Sequence, residues 1–270
     1  MLTLTLRQSS PIPLELEGVT PDRVRGLSPL EISKLPVYHG NHREEVGQFF
    51  AVTGSADDGH LHIAGETDTI KHVGAGMTAG TITVEGNVGM HAGAGMTGGR
   101  LAVAGDAGDW LGAEMAGGAI EVAGRAGNQV GAAYRGSRRG MRGGSIVVRG
   151  AAGHEVGLLM RRGIIVVEGA IGEFAAASMI AGTLVAAGGV GRGAGAGMKR
   201  GTILVGGPPP ELAPGMQWSC DYRPAFLGLL LSHLRTLDVR ATDRFVARDV
   251  RCYRGDLVNG GTGELLVLCG

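Results

Sequence analysis

The sequence predicts an all-β protein, a single-stranded parallel β-helix of about seven turns, and three observations carry that expectation. Of 270 residues, 51 are glycine and only 4% are aromatic, a composition that points away from an ordinary globular chain and towards a repeat. A motif G-x-[IL]-x-V-x-G opens at Gly80, Gly99, Gly118, Gly144, Gly163, Gly182 (with Ala186 in the valine place) and Gly201, a stride of 19 residues broken once by a stride of 26. Within each copy the apolar residues alternate: Ile82 and Val84, Leu101 and Val103, Ile120 and Val122, Ile146 and Val148, Ile165 and Val167. That period of two belongs to a strand.

The elements follow in chain order. Residues 1–58 lack the repeat and read as an N-terminal cap. The repeat proper runs over 59–207, its first copy from Gly59 to Gly65 with two extra residues before the next. One strand and tight glycine corners, copied at constant length, stack most simply as coils about 4.8 Å apart, a rod roughly 30–35 Å long. Glycine then supplies corners of positive φ. Identical positions form columns, so Ile82, Leu101, Ile120, Ile146, Ile165, Leu184 and Ile203 face inward together. Met77, Met96, Met115, Met141, Met160, Met179 and Met198, seven of the ten methionines, form a second inward column. Residues 208–270 read as the C-terminal cap, since open strand edges need cover. It begins at the run Pro208-Pro209-Pro210, continues with a short apolar helix between Pro224 and Asp238, and ends in strands around Asn259-Gly260-Gly261.

Composition also excludes function classes. With 25 basic and 25 acidic residues the chain is neutral, which disfavours a general nucleic-acid binder. The first residues lack the layout of a signal peptide, and the longest apolar run, Ala225 to Leu231, is too short to span a bilayer. Cys220, Cys252 and Cys269 form no CxxC pair, and an odd count suits a reducing compartment. A soluble, cytoplasmic protein is expected.

The repeat G-x-[IL]-x-V-x-G … G-x-x-M-x-x-G resembles the GXGXG domain, as at the C-terminus of the glutamate synthase large subunit. More closely it resembles the C subunit of formylmethanofuran dehydrogenase, from about Gly59 to Gly207 and again at Tyr253-Arg254-Gly255-Asp256-Leu257 and Gly261-Thr262-Gly263-Glu264-Leu265. The resemblance implies a right-handed coil and a non-catalytic scaffold. It implies a complex with the family's A, B and D components: an amidohydrolase-like one carrying the metal, a relative of the molybdopterin component, and a formyltransferase. Such a hetero-oligomer, a dimer of heterotetramers being one form of it, moves formyl from tetrahydromethanopterin to methanofuran and hydrolyses it to formate in methylotrophic one-carbon metabolism. The same resemblance leaves open the C subunit of a tungsten or molybdenum dehydrogenase. Twenty-two arginines against three lysines suit a GC-rich genome and hence the bacterial complex. Two further readings stay open: the scaffold of an amidotransferase complex, and a stand-alone carbohydrate-active β-helix.

No catalytic, cofactor or metal site is expected on this chain. Gly93-Ala94-Gly95-Met96-Thr97-Gly98 matches GxGxxG, but a strand follows where a dinucleotide site needs a helix. His60 and His62, beside Asp57 and Asp58, flank the inward Leu61 and Ile63 and so read as surface histidines. Glu85, Glu121 and Glu168 occupy different positions or distant coils, so no carboxylate pair suggests glycoside cleavage. The candidate sites are interfaces. Thr83, Ala102, Glu121, Val147, Val166, Val185 and Leu204 form an outward column that turns wholly apolar and calls for cover, by the C-terminal helix or by a partner protein. A second outward column reads His72, His91, Trp110, Gln129, Glu155 and Phe174. Trp110 and Phe174 are its candidate anchors, unless they pack beneath the N-terminal cap. A seven-residue insertion within Ala132 to Arg142 carries Arg135, Arg138, Arg139 and Arg142, and the next coil adds Arg161 and Arg162. Six arginines at one corner make a strong local field, which reads either as a solvated loop or as a surface for docking onto an acidic protein. Nucleic acid is disfavoured there, because aromatic residues for stacking are missing.

Overall fold

The computed structural model describes residues 1–245 and 249–269, and these are mostly strand. Ahead of the repeat come β1 (Leu2–Leu6), β2 (Leu14–Glu15), α1 (Pro21–Val24), α2 (Pro29–Ser33), β3 (Pro36–His39), β4 (His42–Glu45), α3 (Val46–Phe49) and β5 (Phe50–Gly54). The repeat holds β6 (His60–Ala64), β7 (Ile70–Lys71), β8 (Thr81–Val84), β9 (Arg100–Val103) and β10 (Ala119–Val122). It continues with β11 (Arg142–Val148), β12 (Arg162–Val167), β13 (Thr183–Ala186) and β14 (Thr202–Val205). After it follow β15 (Gln217–Tyr222), α4 (Leu227–Thr236), a 3₁₀ turn at Arg240–Phe245, β16 (Val250–Gly255) and β17 (Gly263–Leu268).

One sheet of 13 strands dominates, in the order β15-β16-β17-β14-β13-β12-β11-β10-β9-β8-β6-β1-β5. Each repeat strand pairs in parallel with the one a repeat later, residue for residue: Ile82 opposite Leu101, Ile120 opposite Ile146, Leu184 opposite Ile203. Every unit therefore returns to lie beside its predecessor. A second ladder of parallel bridges runs through Val88, Ala107, Ala126, Ala152, Ile171 and Val190, so the chain between strands is stacked too.

The ladder extends past both ends of the glycine motif. At one end β1 pairs in parallel with β6, setting Leu2 against Leu61 and Leu4 against Ile63. At the other, β17 pairs in parallel with β14, setting Leu265 against Ile203. β1 carries the alternating pattern without the corner glycines, whereas Gly263 lies level with Gly201 and keeps the opening glycine, where an added Cβ would lie 2.6 Å from the Met198 methyl. The antiparallel strands β5 and β16–β15 then flank the stack.

The interior is a set of dry columns. All seven repeat methionines have no exposed surface, and neither do Leu101, Ile146, Ile165, Leu184 and Ile203. The methionine and glycine columns fit each other across turns. At Gly163, where φ is +98°, an added Cβ would lie 2.8 Å from the Met141 methyl and 2.8 Å from the Gly144 carbonyl oxygen. Glycine there serves both the left-handed backbone and the close approach.

Outside, the apolar half of the outward column is covered by the chain itself. Leu227, Leu231 and Leu234 of α4 pack with Val147, Val166, Val185 and Leu204 in a second hydrophobic cluster. Their spacing of four and three residues puts them on one helical face, while Leu229 on the other face stays 78% exposed. The own-helix alternative is thus the arrangement observed.

Candidate interaction surface

The insertion leaves the coil cleanly. Met141 donates its amide to the Gly131 carbonyl at 2.8 Å, so the chain from Gly131 to Met141 closes on itself as an outward loop. Arg135, Arg138, Arg139, Arg142, Arg161 and Arg162 are all exposed. Arg142 and Arg162 stand in register at the starts of β11 and β12. Among the described residues none of the six arginines forms an ion pair. An unpaired cluster of one sign makes a strong local positive field.

The structure adds a member that sequence reasoning missed. Arg138, Arg139 and Arg161 line a groove of about 460 Å³ together with Leu159, Ser178, Ile180, Gly197, Lys199 and Asn259. Lys199 follows Met198 as Arg161 follows Met160, so continuing that column by two further turns would have found it.

The second outward column is also in place, with a property its residue types concealed. His72, His91, Trp110, Gln129, Glu155 and Phe174 all have φ between 57° and 65°. Non-glycine residues rarely adopt this conformation, and here the stacked turns impose it at every level. Side chains then pile from one repeat to the next. His72 and His91 stack with ring centroids 4.7 Å apart, and His91 and Trp110 lie 6.3 Å apart. Gln129 donates to the Glu155 carboxylate at 2.8 Å. Phe174, 41% exposed, lies over Gly193, where a Cβ would come within 2.7 Å of the ring.

The cover over Trp110 comes from the insertion. Tyr134 stacks on Trp110 at 5.0 Å and shares a 3.0 Å hydrogen bond with His91 Nδ1. Glu114 accepts the Tyr134 amide at 3.1 Å. Burial pushes the Tyr134 phenol up to about 12, with Glu114 and Glu17 adding to it. Burial also lowers His91, helped by His72 and Lys71 and opposed by Asp109. This stack ties the root of the arginine loop to the repeat. It favours the neutral form of both rings.

Two clusters that look unconnected in sequence are joined across turns. His62 hydrogen-bonds Thr83 through Nδ1 at 3.0 Å and Glu85 through Nε2 at 2.9 Å, while His60 reaches the same Thr83 hydroxyl at 3.1 Å. These histidines tie one turn to the next. Glu121 and Glu168, on different coils, are joined by Arg149, whose side chain is 8% exposed. Arg149 donates to Glu121 at 2.7 Å, to Glu168 at 3.2 Å and to the Asp238 carboxylate at 3.3 Å, and also to the Asp238 carbonyl. Glu168 in turn accepts the amides of Arg240 and Ala241 at the start of the 3₁₀ turn. The arrangement clasps the C-terminal segment to the stack of strands; Arg149 and Glu168 lie one 19-residue stride apart, a spacing the sequence shows, whereas Glu121 and Asp238 lie outside it.

No helix among the described residues is long and apolar enough to cross a membrane.

No family model matches the chain. Relatives and a solved structure do. The C subunit of tungsten-containing formylmethanofuran dehydrogenase 2 from Methanothermobacter thermautotrophicus is 40% identical over 93 residues, 33% of this chain and 34% of that one. The C subunit of molybdenum-containing formylmethanofuran dehydrogenase 1 from Methanosarcina barkeri is 42% identical over 83 residues, 29% of this chain and 28% of that one. The matched stretch thus spans between 20% and 34% of the curated relatives' length. A chain in the crystal structure of the formyltransferase/hydrolase complex (FhcABCD) from Methylorubrum extorquens, solved with methylofuran, superposes with a TM-score of 0.92 at 36% identity. That match covers 99% of this chain and 100% of that one.

Proposed function

The chain belongs to the family of the formylmethanofuran dehydrogenase C subunit, and from that premise we propose that it is a non-catalytic scaffold of a formyltransferase/hydrolase complex. The observation that carries this reading is the end-to-end match to a chain of the bacterial complex. The dehydrogenase subunits match over about a third of their length or less, so the redox complex is the second reading.

In this reading the stack is a right-handed single-stranded parallel β-helix over 59–207, with caps at 1–58 and 208–270. Its partners, in the cytoplasm, are the amidohydrolase-like component with its metal, the relative of the molybdopterin component, and the formyltransferase. Methanofuran and tetrahydromethanopterin are handled by those partners, and formate is the product. The groove of Arg138, Arg139, Arg161 and Lys199, flanked by Arg135, Arg142 and Arg162, meets an acidic face of a partner. Phe174 extends that interface along the rod, and Trp110 supports it from beneath Tyr134. A rigid ladder held by hydrogen bonds at every turn suits positioning, because its faces cannot shift independently of one another.

The test is a tagged pull-down from the native host, with the co-purifying chains identified by mass. The eluate is assayed for formate release from formyl-tetrahydromethanopterin plus methanofuran. Three larger chains with that activity support the proposal. A tungsten- or molybdenum-containing eluate moves it to the dehydrogenase, and a lone chain overturns it. Arg138→Glu with Arg139→Glu leaves the rod folded and loses partners from the same eluate.

A further inference from the structure

The three cysteines, scattered in sequence, include a pair that the fold brings face to face. β15 lies at the edge of the main sheet and pairs antiparallel with β16, which puts Cys220 directly opposite Cys252. Directly opposed residues in an antiparallel pair project to the same face, with Cα atoms about 4.5–5.5 Å apart. A disulfide needs Cα atoms about 4.4–6.8 Å apart. The register beyond them shows which face this is. Cys252 stands opposite Leu266, which stands opposite Leu204, which stands opposite Val185. The outward apolar column covered by α4 therefore ends in the two thiols.

Their surroundings divide the labour between them. Cys252 is fully buried, whereas Cys220 is exposed at the sheet edge. Burial, with Glu264 and Cys220 adding to it and Arg254 opposing, holds the Cys252 thiol above its ordinary value. A peroxide reaches Cys220 first. Ser219 forms a bulge where the register shifts between Trp218 and Cys220, which loosens the edge beside the exposed thiol.

The geometry points to Cys220 and Cys252 as a peroxide-responsive dithiol that closes to a disulfide and fixes the edge strand β15 to the sheet. The chemistry balances in two steps. The Cys220 thiolate attacks one oxygen of a peroxide, the O–O bond breaks, and a sulfenic acid forms as the other oxygen leaves as hydroxide and is protonated to water. Cys252 then attacks the Cys220 sulfur. The S–S bond forms, the S–O bond breaks, and the departing hydroxide takes the Cys252 proton as a second water. Two thiols are oxidised and one peroxide is reduced. The inference is independent of the assembly reading.

The test treats the full-length chain, as purified from its host, with graded hydrogen peroxide, alkylates the remaining thiols, and maps peptides by mass. A peptide linked through Cys220 and Cys252, about 2 Da lighter than the sum of its parts, is the expected product, and dithiothreitol reverses it. Cys269→Ser retains the link, whereas Cys220→Ser and Cys252→Ser each lose it while the circular dichroism spectrum stays native. Amide exchange across Gln217–Tyr222 slows on oxidation. Both thiols remaining alkylatable, oxidation of Cys220 alone to the sulfinic acid, linkage through Cys269, or a disulfide between two copies would each overturn the inference.

Discussion

Replacing Arg149 by methionine removes the clasp between the repeat strands and the C-terminal segment while keeping most of the side-chain volume. The cost can be apportioned from the geometry. Asp238 is 88% exposed, so its pair contributes at most about 1 kcal/mol. Glu121 is 31% exposed and keeps Arg100 at 2.6 Å, so it is not stranded. Glu168 is 12% exposed and would keep only the two backbone amides that it caps. Removing one partner of a buried pair costs about 3–5 kcal/mol, and nearly all of that falls on Glu168. The assay is the urea midpoint, together with limited proteolysis between residues 207 and 226. The variant unfolds about 3–5 kcal/mol earlier, and cleavage appears there because α4 lifts from Val166 and Val185. Adding Glu168→Gln removes the stranded charge and restores more than half of the loss. The reasoning fails if Arg149→Met lies within about 0.5 kcal/mol of the native chain, or if the added Glu168→Gln restores nothing.

Met160→Asp or Met141→Asp places a carboxylate in a column with no exposed surface, which costs several kcal/mol; the variants lose their strand dichroism, while Met160→Leu stays within about 1.5 kcal/mol of native. Gly163→Ala costs about 2–4 kcal/mol through positive φ and the clash with the Gly144 carbonyl, and Met141→Ala does not rescue it, because the backbone oxygen remains. Gly136→Ala is the control, with φ +87° and nothing within 4 Å, and shows only the strain by the same denaturant midpoint. Stability should also be bounded in pH by the His91–Tyr134 pair. The folded chain resists protonating His91, so the unfolded chain binds more protons and stability falls as the pH drops through 6.5. The folded chain resists ionising Tyr134, so stability falls again as the pH rises past 10.0. Midpoints measured across that range flatten on both flanks in His91→Gln with Tyr134→Phe.

Much of the fold was readable because a repeat multiplies weak signals. One G-x-[IL]-x-V-x-G is ambiguous, yet seven copies on a 19-residue stride broken only once assign every column and its direction. The rung at Leu2–Leu6 was harder to read as part of the stack, since it lacks the glycine frame that marks the others, and the rung at Gly263–Leu268 keeps only the opening glycine, with Cys269 level with Gly207. The arginine corner was legible as a run of charge, but its groove was not, because Lys199 joins it from two repeats farther on. The column from His72 to Phe174 was legible as a column. Its left-handed backbone was hidden, because no residue type there demands it and the stacked neighbours enforce it.

The sequence by itself determined the period, the inward columns of methionine and isoleucine, and the need to cover Val147, Val166, Val185 and Leu204. Those are consequences of local periodicity and composition, which act between residues a fixed number of positions apart. The tertiary structure alone decided that α4 supplies the cover, that Tyr134 pins the arginine loop over Trp110, and that Arg149 joins Glu121 to Glu168 and Asp238. It also set Cys220 opposite Cys252. Apart from the Arg149–Glu168 pair, which spans one stride, each of these contacts closes across segments outside the 19-residue stride. Their pairing depends on where the chain re-enters the sheet, a global outcome that no local pattern encodes.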